Sequence, residues 1–115
     1  MSHFELRRPI AALASGQQKA GIAVIRLCGE TCHDLLKKVF HPKGKASWSS
    51  NHLRWGNFFS ESGVKLDDPM AVFFSAPHSY TGEDAAEIHC HGSPFIIHEI
   101  LRTLYHIGFH PADPG

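Results

Sequence analysis

Residues 85–108 read AAEIHCHGSPFIIHEILRTLYHIG, and this stretch decides the fold. Its first seven residues alternate. Ile88 and Cys90 point to one side of an extended chain, and Ala85, Glu87, His89 and His91 to the other. Ile88 and Cys90 are the core face, which turns Glu87, His89 and His91 towards a cleft, a partner or solvent. The periodicity then changes. Ser93 is a helix N-cap, Pro94 suits the first helical position, and Ile97, Ile100, Leu101 and Leu104 fall on one stripe until Gly108 closes the helix. A strand running directly into an amphipathic helix, with a last short strand expected over 109–112, is the C-terminal unit.

Working towards the N-terminus, Met70–Phe74 (MAVFF) reads as a buried strand and Leu53–Phe59 as another. The turn between them, 60–68, is too short for a crossover helix, so the two form a long antiparallel hairpin. Residues 41–51 (HPKGKASWSSN) and Pro77–Asp84 (PHSYTGED) read as loops. Residues 30–40 read as a helix capped by Thr31. Leu35, Leu36, Val39 and Phe40 share its inner face, and Lys37 and Lys38 suit its C-terminal end. Ile22–Leu27 (IAVIRL) is a β-branched strand apolar on both faces, and residues 9–14 a short first strand. The order predicts an α+β fold: a mixed, mostly antiparallel sheet with helices packed on one face.

The chain has 115 residues, 43% of them hydrophobic and 19% charged, with 11 basic and 11 acidic side chains. That is one ordinary globular domain. A balanced charge argues against binding nucleic acid by phosphate attraction alone. No stretch is long enough to span a bilayer, and the short apolar run after Arg7-Arg8 is no secretion signal, so a cytoplasmic protein is expected. Cys28, Cys32 and Cys90 form no disulfide framework and read as reduced, mostly buried thiols. Gly16–Gly21 has the glycine spacing of a phosphate loop, but Ile22-Ala23 follow where Lys-Ser/Thr are required, so the chain carries no GTPase motif.

Two charges stand out. Arg26 shares a strand face with Ile22 and Val24, and Glu87 lies on the non-core face of its strand. A salt bridge or two solvated side chains is one reading. Ligand recognition is the other: a carboxylate accepts paired hydrogen bonds from an aminopyrimidine edge, and arginine clamps a carboxylate or carbonyl. His89 and His91 aim two imidazoles at one side, which raises metal binding with His78 or His98 as further ligands. Cys90 points away from both, so a buried thiol is favoured over a Cys–His nucleophile. His3, His33, His41, His52, His106 and His110 read as surface or turn residues.

The run SYTGEDAAEIHCHGS, Ser79–Ser93, resembles the signature SYTGED-x-x-E-I-x-x-HGG of the N-terminal domain of the MnmE/TrmE tRNA-modification GTPases. Ile10–Leu13 (IAAL), Gly21–Gly29 (GIAVIRLCG) and Gly108–Gly115 (GFHPADPG) resemble further segments of that domain, in order. The resemblance implies a fold similar to the folate-binding domain of glycine-cleavage aminomethyltransferases. It implies binding of 5-formyltetrahydrofolate or a related tetrahydrofolate, with the family's arginine and glutamate contacts falling on Arg26 and Glu87, and formation of a homodimer. It also implies a longer protein in which residues 1–115 precede a helical domain and an inserted G domain that uses GTP, potassium and magnesium. That protein, with its partner MnmG, modifies carbon five of the wobble uridine in tRNA. The chain departs from the family at Ser15–Gly21, where TPPGRGG is usual, and at Ser93 and His110. A lysine contact expected further downstream is missing, which predicts weaker folate binding than in an intact protein. The alternatives are a dimerisation or interaction module with a degenerate folate site, or a histidine-rich metal-binding domain.

Overall fold

The computed structural model describes residues 8–15, 21–76 and 83–112. Among these described residues, eight strands and two helices follow in the order β1 (Ile10–Leu13), β2 (Ile22–Cys28), α1 (Cys32–Val39), β3 (Phe40–Pro42), β4 (Arg54–Phe59), β5 (Lys65–Asp67), β6 (Met70–Phe74), β7 (Ala85–His91), α2 (Pro94–Ile107) and β8 (His110–Pro111). The strands lie in the order β3-β4-β6-β7-β2-β1-β8, with β5 paired to β4. Every pairing is antiparallel except β1 with β8. The expected α+β class, with its mixed and mostly antiparallel sheet and helices on one face, is what the chain adopts.

The central pair explains the packing. Ala23, Ile25 and Leu27 of β2 and Ala86, Ile88 and Cys90 of β7 are buried, as their alternation predicts. They pack with Leu36 and Val39 of α1 and with Ile97, Ile100 and Leu104 of α2 in one core. Each fully buried Leu or Ile contributes about 1.5–3 kcal/mol over an exposed one. α2 begins as expected: Ser93 accepts a hydrogen bond from the Ile96 N–H. At its other end the Gly108 N–H bonds back into the last turn at φ 130°, a backbone region that glycine enters without steric cost.

Three boundaries differ from the sequence reading. Phe40 does not extend α1. It is extended at φ −116° and ψ 124° and starts β3, where it pairs with Phe58. Its apolar side chain suits either element, and burial against β4 decides. Pro42 is tolerated because β3 is an edge strand. The expected 60–68 turn contracts to Ser60–Val64, closed by the Ser60 N–H to Val64 carbonyl bond of 2.7 Å, and the chain then pairs as β5. The last strand is two residues long. Thr31 sits at the N-cap of α1, but its side chain makes no capping hydrogen bond. Among the described residues no helix is long and apolar enough to cross a membrane.

Candidate functional site

β2 and β7 run antiparallel in a register that sets Ile22 opposite His91, Val24 opposite His89 and Arg26 opposite Glu87. All six belong to the sheet face turned away from the buried Ile25 and Ile88. Two polar clusters form there.

The first centres on Glu87. Arg26 Nε donates to Glu87 Oε2 at 3.2 Å, and His89 Nε2 lies 3.0 Å from Oε1. The two candidate residues are therefore in contact, and the ion-pair alternative read from the sequence is realised. Glu87 is largely covered and Arg26 half-exposed. Burial pushes the Glu87 carboxyl up. The hydrogen bonds from His89 and Arg26, with their charges, outweigh it and leave the group below the ordinary carboxylate value. Glu87 is thus held ionised next to a guanidinium.

The second centres on Asp67, at the end of β5. Its side chain is only 5% exposed. Oδ2 accepts the His91 backbone N–H at 3.0 Å and Oδ1 lies 2.6 Å from His91 Nδ1. That hydrogen bond and the Asp67 charge raise the His91 pKa. Asp68 follows, with Oδ2 3.8 Å from Lys43 Nζ. Its carbonyl accepts from Trp55 Nε1 at 2.9 Å. A surface cleft of about 220 Å³ opens here, lined by Ile22, Trp55, Asp68, Met70, His89 and His91 among others.

The expected His-x-His metal set is not assembled by the described residues. His89 and His91 do share a face, but each turns to its own carboxylate. His98 lines a separate groove with Leu13, Ile97 and Leu101. His78 lies outside the described residues, as do Ser79–Gly82 and the 16–20 part of the divergent loop. Of the rest of that signature, Asp84 accepts the Ala76 N–H at 2.9 Å through Oδ1, and its carbonyl accepts the Gly29 N–H.

His33 is not the surface residue expected. Nε2 lies 2.9 Å from the Ala85 carbonyl, and the ring packs at a 60° tilt against Phe73, with centroids 4.7 Å apart. Cys32 and Cys90 are buried and Cys28 half-buried, all free thiols, as the sequence indicated. Asp67, Asp68 and Trp55 were missed. The only local signal for Asp67 was its place in the KLD triplet after a glycine turn, and nothing in the sequence connects it to His91.

The family described as the N-terminus of the GTP-binding protein TrmE matches residues 9–115. The tRNA modification GTPase MnmE of Endomicrobium trichonymphae is 42% identical over 106 residues, covering 92% of this chain and 22% of that protein. The tRNA modification GTPase MnmE of Gluconacetobacter diazotrophicus is 39% identical, over 93% of this chain and 25% of its own length. That of Aquifex aeolicus is 36% identical, over 96% and 24%. The chain thus spans about a quarter of the length of these curated relatives. The match lies in the N-terminal portion of the family, in keeping with the missing Lys-Ser/Thr after Gly21. This chain belongs to the TrmE/MnmE N-terminal-domain family.

Proposed function

We propose that this domain is the tetrahydrofolate-binding and homodimer-forming part of a cytoplasmic tRNA-modification GTPase. In that protein, working with MnmG on carbon five of the wobble uridine, GTP, potassium and magnesium belong to a separate G domain. The ligand is 5-formyltetrahydrofolate or a related one-carbon folate, and Arg26 and Glu87 are the residues that recognise it. The observation that carries this reading is the Arg26–Glu87 pair, held on the sheet face opposite the helices in a member of this family. An ionised carboxylate presents two oxygens to the adjacent N–H donors of an aminopyrimidine edge, and arginine supplies the complementary clamp. His89 and the cleft beside it extend the same face. Exposed Ile22 and Trp55 provide apolar surface of the kind self-association covers.

Isothermal titration with 5-formyltetrahydrofolate tests the reading. Binding is expected, and Glu87→Ala is expected to weaken it by about 2–3 kcal/mol, the loss of charge-assisted hydrogen bonds. An affinity unchanged by that substitution removes Glu87 from the site.

One observation favours a second reading. Both Glu87 oxygens already have one partner each, in Arg26 and His89, so a folate must compete with them for the same carboxylate. An interaction module that keeps the dimer and has lost folate is the result if that exchange is too costly. A dimer in sedimentation velocity together with silent titrations would select it.

A further inference from the structure

We infer that Asp67, Asp68 and His91 form a binding site for a divalent transition metal of the zinc class, at the wall of the cleft beside β7. One ligand atom from each residue lies within 4.8 Å of the others. The donor set is one imidazole nitrogen and two carboxylates. That composition suits zinc and its neighbours, whereas calcium calls for six to eight oxygens and magnesium for an all-oxygen octahedron.

The backbone holds these donors independently of any ion. Asp67 is paired with Phe58 of β4; its Oδ2 takes the His91 N–H of β7, and its Oδ1 meets His91 Nδ1, which places the two ligand atoms side by side. Beyond it the short link Asp68-Pro69 leads into β6. β4 holds that link at both residues: Trp55 Nε1 donates to the Asp68 carbonyl and the Gly56 N–H to the Pro69 carbonyl at 3.0 Å. Three strands therefore fix the donors, the condition for a preorganised site.

The electrostatics run the same way. Asp67 is a buried carboxylate whose partner is His91, and Asp68 brings a second carboxylate within 4.8 Å, so the three donors concentrate negative charge beside one imidazole. Lys43 reaches Asp68 only at 3.8 Å, beyond hydrogen-bond range, and also lies over the Trp55 ring. A metal enters by replacing the proton shared between His91 Nδ1 and Asp67 Oδ1. Tetrahedral bonds of about 2.0–2.2 Å set neighbouring donors about 3.3–3.6 Å apart, so the present 2.6 Å contact must open by most of an ångström. The remaining coordination position opens to the cleft lined by Trp55, Met70 and His89. Nothing in this inference depends on folate.

The probe is cobalt(II) and zinc(II) added to the metal-free chain. One equivalent of cobalt is expected to bind and to give the visible absorption of a low-coordinate N/O site, and zinc is expected to bleach it. His91→Gln and Asp68→Asn should each weaken binding at least tenfold, as loss of a ligand does. His52→Gln, at an exposed histidine remote in sequence, should bind as the native chain does. Circular dichroism of each variant separates lost binding from lost fold, and Asp68, being the more exposed carboxylate, keeps the test valid if changes at His91 disturb β7. Cobalt binding equally strong in both ligand variants, or no binding below millimolar metal, overturns the site.

Discussion

Arg26 and Glu87 face each other across neighbouring antiparallel strands, 61 residues apart in sequence and 3.2 Å apart in space. The contact joins the two strands at the centre of the sheet. A double-mutant cycle with Arg26→Met and Glu87→Gln should give a coupling of about 1 kcal/mol in urea denaturation, at the upper end for a half-exposed pair. Strict additivity of the two substitutions would mean that solvent screens the pair and that it is kept for a purpose other than stability.

The same pair predicts a pH dependence. Burial raises the Glu87 pKa, but the His89 and Arg26 hydrogen bonds and charges dominate, so the folded value lies below the ordinary 4.5. A depressed carboxyl pKa contributes stability that is present above the unfolded value and lost as pH falls through the folded one. The stability difference between the native chain and Glu87→Gln should narrow as pH drops below the ordinary 4.5 and through the folded value. Denaturation midpoints measured across that range check it. A difference that persists undiminished to pH 3 contradicts the direction of the shift.

The thiols give a sharper chemical test. Burial first, then the neighbouring Asp84 charge, pushes Cys32 up to about 12, and burial pushes Cys90 up to about 11. Cys28 is also raised, by burial and by Glu83, but stays partly accessible. The thiolate is the reactive form, so at pH 8 iodoacetamide should modify Cys28 slowly and leave Cys32 and Cys90 intact in the folded chain. All three should react in denaturant. Mass spectrometry showing rapid native modification of Cys90 would mean that β7 opens locally.

What the sequence disclosed followed the range of the physical signal. Alternation has a fixed period of two, so the chain itself told which side of β2 and β7 carries Arg26, Glu87 and His89. It offered the Arg26–Glu87 salt bridge only as one alternative, because register between strands 61 residues apart is a tertiary property. Asp67 was hidden for the same reason: it lay in a polar segment that reads as a turn, and its burial comes from β4 and β7. Phe40 was misassigned because an apolar residue after a helix satisfies either periodicity, and only the facing Phe58 breaks the tie. His33 looked polar and external, yet the Ala85 carbonyl and the Phe73 ring accommodate it at the edge of the core.

Gly56 shows how closely β3 and β4 approach. A Cβ built there would lie 2.5 Å from the His41 carbonyl oxygen and 2.5 Å from the Phe40 ring. Neither can retreat freely: His41 is backbone in a paired strand, and Phe40 is buried in the core. Gly56→Ala should therefore cost about 1–3 kcal/mol, the range for forcing extra volume into a packed interior. Gly21→Ala is the matched control, since nothing lies within 4 Å of its added methyl. The two substitutions change composition identically, so the difference in their urea midpoints isolates the steric term. The damage should also spread from β3 into the Asp68-Pro69 link, because the Gly56 N–H holds the Pro69 carbonyl. Amide exchange in Gly56→Ala should then accelerate at Trp55 and His91 as well as at His41. Exchange confined to β3 would show that the Asp68-Pro69 link is held without Gly56.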